Sequence, residues 1–345
     1  MIKGYATLKG TNAYFERSKV VDSMIVEGEN FSTSKLGLGT HLGNFSEEDS
    51  KLYQQAIRYA LTNGINLIDT AVNYRGMISE RDIGKVLTEL IEEGLINREE
   101  IVISSKAGII PGDGEIMLKP VDYLKTKFID AGILKREDVY MYENLRLTMN
   151  PNYFQYALNL SREHMNIETI DIHYIHEPEL SISVLGEDEF YKNLEKVIEF
   201  YEEQVEIGKI KEYGMATWDA FQIEENKDLY LSLEKVMKVV EGINKNHNFK
   251  HIMLPYNLDR PEANKNKTQV VNGKRCTIIE AANHYGIKVN TSGSIGKAKG
   301  LKEGKTVRDY LEFICKTEGV NNILVGMKRI EHMKGNLLIL KGLLS

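Results

Sequence analysis

The chain has 345 residues, 42 % of them apolar and 27 % charged, with a net charge of −6 from 50 acids against 44 bases. Those proportions argue against a disordered chain and allow one large α/β domain or two smaller ones, while the acidic balance argues against a nucleic-acid or anionic-membrane partner. No stretch approaches the ~18 consecutive apolar residues of a membrane span, and two cysteines, Cys276 and Cys315, give neither a disulfide framework nor a Cys-based zinc site.

Met1–Gly10 carries no signal-peptide pattern, so a reducing, cytoplasmic setting is the expectation. Residues 1–34 are polar, with short alternating pieces such as Ser23–Val26, and read as a small hairpin or cap. Leu36–Thr40 is a first strand. Ser46 with Asp49 is a capping signal. Leu52, Ala56, Ile57, Ala60 and Leu61 then mark one helical face, ended by Asn63 and Gly64. Ile65–Asp69 is a second strand. A turn through Tyr74 leads to a helix from Ser79, with Ile83, Val86, Leu87, Leu90 and Ile91 on one face. Ile101–Ser105 is a third strand and delivers Lys106.

The next helix is delayed. Residues 107–150 mix Gly108, Pro111, Gly112, Gly114 and Pro120 with polar and apolar residues, and read as a lid-like loop insertion over the active face. A helix over Pro151–His164 precedes a fourth strand, Ile170–Ile175, which delivers His176. A helix near Glu189–Glu206, then Ile210–Met215, a helix over Leu229–Glu241 and the strand Ile252–Leu254 follow. Cys276–His284 precedes Ile287–Asn290, and Val307–Cys315 precedes Asn322–Val325. Eight strands alternating with helices fit a (β/α)8 TIM barrel better than a doubly wound sheet, and no GxGxxG follows an early strand. With no Pro/Gly/Ser linker, a single domain over residues 1–345 is expected.

Asp69, Tyr74, Lys106 and His176 stand at, or just past, the C-terminal ends of different strands. On a barrel those ends meet at one mouth. A phenol with an ordinary pKa near ~10 is a poor acid at neutral pH. A nearby lysine cation lowers that value, and a carboxylate keeps the lysine charged and positioned. A histidine hydrogen-bonds a carbonyl and orients it. The set suits proton delivery to a carbonyl oxygen while a hydride arrives at carbon. Singly, each residue has a structural explanation; only the joint placement carries the functional reading.

Other groups are less telling. His173 and His176 lie an odd number of positions apart, so they point to opposite faces of a strand and do not share a metal. His247 and His251 fall in a Lys/Asn-rich stretch and are expected in solvent. Glu177 and Glu179 flank Pro178 at the mouth, where a hydrated rim is favoured over substrate contact. Arg75 either binds an acidic substrate group, closes over a cofactor or forms a rim salt bridge.

From residue 34 onward the chain resembles the aldo-keto reductases. Gly37-Leu38-Gly39-Thr40, Asp69-Thr70-Ala71 with Asn73-Tyr74, Ser79-Glu80 and Ile83-Gly84 match that family's opening pattern. Ser105-Lys106, Asp171 with Ile175-His176 and Pro178, Gly214, and Gly326 with Glu331 and Asn336 match its later ones. The resemblance implies a (β/α)8 barrel that reduces an aldehyde or ketone, or oxidises the alcohol, with NADPH or NADH. It implies a catalytic tetrad of Asp69, Tyr74, Lys106 and His176, with Tyr74 as general acid. The implied cofactor site takes in Gly39 and Thr40 at the first strand. Where the family often holds the nicotinamide amide with a Ser-Asn pair and a Gln, this chain has Ala216, Thr217 and Met253, and its usual stacking aromatic is replaced near Thr291. Ser292, Gly293 and Ser294, with Gly296 and Lys297, are either a pyrophosphate loop or an ordinary turn. Gly326, Met327, Lys328, Arg329 and His332 suit a 2′-phosphate at a helix N-terminus, which favours NADP over NAD, and Asn336 is the adenine contact. Two rivals stay open: a nicotinamide-binding regulatory or partner-binding protein with little turnover, and a barrel hydrolase or lyase using Asp69 and His176. Nothing in the pattern specifies the substrate or the oligomeric state.

Overall fold

The computed structural model describes residues 1–296 and 301–344. Eight parallel strands close into a barrel: β1 Leu36–Gly39, β2 Leu67–Asp69, β3 Val102–Ala107, β4 Ile170–His176, β5 Ile210–Ala216, β6 Phe249–Pro255, β7 Lys288–Ser292 and β8 Val320–Gly326. Each neighbours the next in sequence, and β8 closes on β1 with Gly326 opposite Gly39. The principal helices outside it are α1 Glu47–Thr62, α2 Ile78–Glu92, α3 Pro151–His164, α4 Glu187–Glu206, α5 Leu233–Ile243, α6 Ile278–His284, α7 Val307–Cys315 and α8 Ile330–Leu344. The (β/α)8 barrel expected from the strand count is the fold formed.

The strands are buried on both faces, and the two faces do different work. Outward side chains meet the apolar stripes of the helices. Inward side chains, among them Leu67, Val102, Ile172, Tyr174, Ala216, Met253 and Leu324, fill the barrel as a packed core. Local signals set the helix starts. The Ser46 hydroxyl accepts the Asp49 N–H at 3.2 Å, and Thr277 with Glu280 and Thr306 with Asp309 form capping boxes at α6 and α7. At Gly214 a Cβ would stand 1.9 Å from the His251 carbonyl oxygen, so only glycine lets β5 and β6 approach at the register shift there.

Residues 1–34 close the N-terminal end of the barrel. The expected hairpin is present as Ile25–Val26 paired with Thr33–Ser34. From the loop between its strands, Phe31 packs with the inward-facing core, and Asn30 donates to Glu212 at 2.8 Å. A helix over Leu8–Arg17 was not expected. Its buried face is Gly10, Thr11, Tyr14 and Phe15, too small and polar to show as an apolar stripe. It is held by Tyr14, which donates to the Leu61 carbonyl at 3.0 Å, and by a bidentate Arg17–Glu100 pair.

The insertion after β3 also differs from a plain loop. It holds helical turns over Pro120–Leu124 and Lys125–Ile129 and a hairpin of Tyr140–Tyr142 with Leu145–Leu147. Aromatic packing explains this order: Phe128 lies 4.7 Å from Tyr156 and 5.4 Å from Tyr153 of α3, ring to ring. Its Gly114 N–H donates to Gly76 at 2.9 Å, which fastens it to the turn carrying Tyr74.

His251 corrects a third expectation. β6 begins at Phe249, so His251 lies inside the barrel and is 2 % exposed rather than in solvent. Its Nε2 stands 2.6 Å from Glu212, and its Nδ1 stands 3.2 Å from the Asn290 amide, which donates onward to the Tyr174 hydroxyl at 2.9 Å.

Candidate active site

The parallel register brings the proposed site together. Asp69 is the last residue of β2 and lies opposite Ser104 of β3. Lys106 is two residues further along β3, hence on the same inward face. Its ammonium reaches back to Asp69, 2.9 Å from Oδ1 and 2.7 Å from Oδ2, and donates to the Thr70 carbonyl at 2.7 Å. Ser104 donates to Asp69 Oδ1 at 2.7 Å. The carboxylate is thus held on one oxygen by two donors. Sequence reasoning passed over Ser104, although its place two residues before Lys106 was the available signal.

Tyr74 sits in the turn between β2 and α2, half-buried. The Lys106 ammonium lies 4.6 Å from its ring centre, and the His176 ring lies 5.8 Å away, edge to face. His41, just after β1, lies closer at 4.7 Å. Asp69, Lys106, Tyr74 and His176 therefore form one cluster at the C-terminal end of the barrel, as their strand positions imply.

Arg75 holds the turn from the other side. It adopts a left-handed backbone (φ 48°) and is buried. Its guanidinium donates to Asp82 at 2.7 Å, to the Ser50 hydroxyl at 2.9 Å and to the Asn44 carbonyl at 3.0 Å. It also lies 5.1 Å from the Tyr53 ring centre. It is a buried residue and not one of the rim: Nε, Nη1 and Nη2 each donate, tying the turn to the loop before α1, to α2 and to α1.

Charge states follow from burial and neighbours. Burial depresses the Lys106 ammonium, but Asp69 and Tyr74 more than offset it and leave it above its ordinary range. Burial raises the Tyr74 phenol; Lys106 pulls it down without offsetting that rise, while Asp69 and Glu177 add to it. The expected lowering by lysine is thus reversed in sum. At neutral pH Tyr74 keeps its proton and Lys106 its charge. Burial, then the Lys106 cation and the neighbouring His41 and His173, hold His176 well below the usual imidazole range, so it is neutral. Its Nδ1 is buried without a partner among the described residues, as are Thr70 Oγ1 and Asn73 Oδ1.

His173 and His176 do point to opposite faces. His173 Nδ1 meets the Tyr201 hydroxyl of α4 at 2.7 Å, while His176 faces the mouth with Tyr74. Glu179 is not part of a hydrated rim. It is 1 % exposed and accepts the Trp218 backbone N–H at 2.5 Å, and burial pushes its carboxyl up to about 8. Pro178 begins a helix, Pro178–Leu185, that carries Glu179 beneath Trp218. Glu177 accepts the Trp218 indole N–H at 2.6 Å. Two further motif acids are structural. Asp171 takes the Ala6 and Ile103 N–H groups and Arg98, and Glu80 joins Ser105 to His164.

The expected cofactor residues lie around the same end but are mostly engaged. Thr40 donates to the Asp69 carbonyl at 3.0 Å, beside Gly39 at the end of β1. The Thr217 N–H donates to the Met253 carbonyl at 2.8 Å. The Met253 side chain packs with Ala216 in the barrel core. The Thr291 and Ser294 hydroxyls stand 2.9 Å apart, and Ser294 also donates to the Leu324 carbonyl. Between them Ser292 ends β7 and Gly293 starts the bend that follows, and Lys297 falls outside the described residues. Gly326, the last residue of β8, is exposed, and Met327 after it is buried, its sulfur 3.2 Å from the Asn336 amide. Lys328 pairs with Asp49 of α1 at 2.5 Å, while Arg329 and His332 are exposed at the start of α8.

A model of the aldo/keto reductase family matches residues 35–310. Among curated proteins, an aldose reductase of Encephalitozoon cuniculi (strain GB-M1) is 40 % identical over 65 residues, 19 % of this chain and 21 % of that one. Probable aldo-keto reductase 1 of Glycine max is 24 % identical over 192 residues, 54 % of this chain and 42 % of that one. Both matches span less than half of those relatives' length. Among solved structures, an aldo/keto reductase from Klebsiella pneumoniae in complex with NADP and acetate superposes with a TM-score of 0.60 at 16 % identity, covering 93 % of this chain and 90 % of that one. An aldo-keto reductase from Bacillus halodurans in its holo form gives 0.59 at 18 % identity, over 92 % and 89 %. At such identities these structures speak for the fold.

Proposed function

The chain belongs to the aldo/keto reductase family, and on that premise we propose that it is an NADP(H)-dependent oxidoreductase that reduces an aldehyde or ketone, or runs the reverse alcohol oxidation. The observation that carries this reading is the cluster of a protonated phenol, Tyr74, against a charged and fully hydrogen-bonded Lys106–Asp69 pair. Tyr74 donates its proton to the carbonyl oxygen. Lys106 stabilises the phenolate left behind, in a setting of low dielectric where a fixed cation acts strongly. Asp69, braced by Ser104, keeps Lys106 in place. Neutral His176 orients the carbonyl, and its Nδ1, like Asn73 Oδ1, has no partner among the described residues and so keeps polar capacity for a bound molecule.

The chemistry of the donor set fits a nicotinamide dinucleotide. At the start of α8, Arg329 offers a cationic side chain, His332 an imidazole and the helix its free N–H groups to a phosphate, with Lys328 available on exchange from Asp49. Asn336, Ser292, Gly293 and Ser294 are candidates for its adenine and pyrophosphate contacts, and Thr217 for its amide. The bound cofactor supplies the hydride. NADP is favoured over NAD, and a small-molecule carbonyl or alcohol is the substrate class. Tyr74→Phe is the test: turnover with NADPH should be lost while NADPH binding is kept.

A second reading is a nicotinamide-binding regulatory protein with little turnover. It draws on the apolar Ala216 and Met253 and on the internally satisfied Thr291 and Ser294 hydroxyls, which leave few groups for the amide. NADPH titration followed by single-turnover oxidation with an aldehyde separates the two.

A further inference from the structure

Lys328 follows the end of β8 by two residues and leads into α8, where Arg329 and His332 are exposed. Its own ammonium is engaged. It donates to Asp49 Oδ1 at 2.5 Å, across the seam where β8 closes on β1. The two partners differ in freedom. The Lys328 side chain keeps 32 % of its surface exposed, while that of Asp49 keeps 7 %. A part-exposed lysine on a flexible stem can swing to another anion. A buried carboxylate in the first turn of α1 cannot follow it.

The chain around Asp49 holds it in place. Its Oδ2 accepts the Asn44 N–H at 2.6 Å, and its own N–H donates to the Ser46 hydroxyl at 3.2 Å. Gly43 has a positive φ of 118°, and a Cβ there would stand 2.8 Å from Asp49 Oδ2, so the loop wraps the carboxylate as closely as glycine allows. The Asn44 carbonyl in turn accepts from Nε of Arg75, the residue after Tyr74. The hydrogen bond from Lys328, then that from Asn44, keep the Asp49 carboxyl below its ordinary range, and the Arg75 cation adds to this. Asp49 is therefore an anion at neutral pH.

Resting on the reading of residues 326–332 as the site of the cofactor's 2′-phosphate, we propose that Asp49 is a specificity-determining residue: it competes with that phosphate for Lys328 and so limits the preference for NADP(H) over NAD(H). A phosphate monoester carries about −1.5 to −2 charges at neutral pH and pairs strongly with an ammonium. To pair with it, Lys328 gives up part or all of its bond to Asp49, and two anions then share one cation. NAD(H), with a hydroxyl in place of the 2′-phosphate, makes no such demand. The exchange also bears on the loop after β1, because Asp49 takes the Asn44 N–H.

The test titrates the whole chain with NADPH and with NADH, followed by fluorescence, in the parent, Asp49→Asn and Lys328→Met. Asparagine keeps an oxygen for the Asn44 N–H but not the charge. Asp49→Asn should tighten NADPH by roughly three- to thirtyfold and leave NADH within about twofold. A merely structural defect would weaken both. Lys328→Met should weaken NADPH and leave NADH as in the parent. A second measurement needs no substitution: in isotope-labelled parent, the Asn44 amide resonance should move further at saturation with adenosine 2′,5′-bisphosphate than with adenosine 5′-monophosphate. An NADPH-to-NADH affinity ratio in Asp49→Asn equal to or below that of the parent, or an Asn44 amide that responds equally to the two nucleotides, overturns the role of Asp49 and leaves the phosphate site standing. An NADPH affinity unchanged in Lys328→Met overturns instead the phosphate site on which the proposal rests.

Discussion

Asp69–Lys106 and Glu212–His251 are built alike and lie at opposite ends of one barrel. Each couples a carboxylate on one strand to a base on the next, β2 to β3 and β5 to β6, and each pair is buried. At the C-terminal end, Lys106 faces a half-buried phenol and an exposed imidazole. At the N-terminal end, Glu212 is covered by Asn30 from the terminal hairpin, and His251 leads inward through Asn290 to Tyr174. The residue types are nearly interchangeable. Position along the strand separates them: one end carries the proposed substrate site and the other is closed by the N-terminal cap.

That contrast breaks most visibly through Lys106. On the proposed reading Lys106→Met removes the cation that would steady a Tyr74 phenolate and should lower kcat by about 10²- to 10⁴-fold, measured by NADPH oxidation. It also strands Asp69, at a cost of about 3–5 kcal/mol in denaturant unfolding. His251→Ala at the other end should cost a similar ~3–5 kcal/mol in stability while leaving kcat/KM of the folded protein within severalfold of the parent. A large loss of kcat in His251→Ala without a loss of stability would erase the distinction between the two ends. Ser104→Ala removes one hydrogen bond to the Asp69 carboxylate, and about 1.5–3 kcal/mol is its expected contribution. Its effect should fall on kcat more than on KM, because it acts on Asp69 and Lys106 and through them on Tyr74.

The smallest effect concerns acid. Burial alone would raise the Glu212 carboxyl, but the hydrogen bond and charge of His251, with Lys288 nearby, hold it at about 2. A carboxyl whose folded value lies below its unfolded one gives stability that is present above the ordinary carboxylate range and lost as the pH falls towards 2. Melting temperatures of the parent should therefore fall more steeply with acid than those of Glu212→Gln. Equal slopes would show that this pair does not carry the acid sensitivity.

The same contrast marks what could be read from the sequence. The meeting of Asp69, Tyr74, Lys106 and His176 at one end was legible because three of them sit at the ends of apolar strands and Tyr74 lies in the turn after one. The barrel was legible because eight such strands alternate with helical stripes. His251 was missed because Lys245, Asn246, Asn248 and Lys250 mask the start of β6 at Phe249, which shifted the inward face out of view. Glu179 was placed on the rim because the sequence does not show that the helix from Pro178 turns it inward. Arg75 depends on a left-handed backbone and on partners from two helices, none of them adjacent in sequence. The order within 107–150 rests on aromatic contacts with α3, which composition does not reveal. The sign of the Tyr74 shift depends on how much burial outweighs one cation, and only the packing decides that.

The most direct measurement compares Tyr74→Phe with the parent, both for NADPH binding by fluorescence titration and for single-turnover reduction of an aldehyde. If Tyr74 is the proton donor, the variant binds NADPH about as tightly as the parent and its turnover falls by about 10²- to 10⁴-fold. Turnover in Tyr74→Phe equal to that of the parent would contradict the assignment.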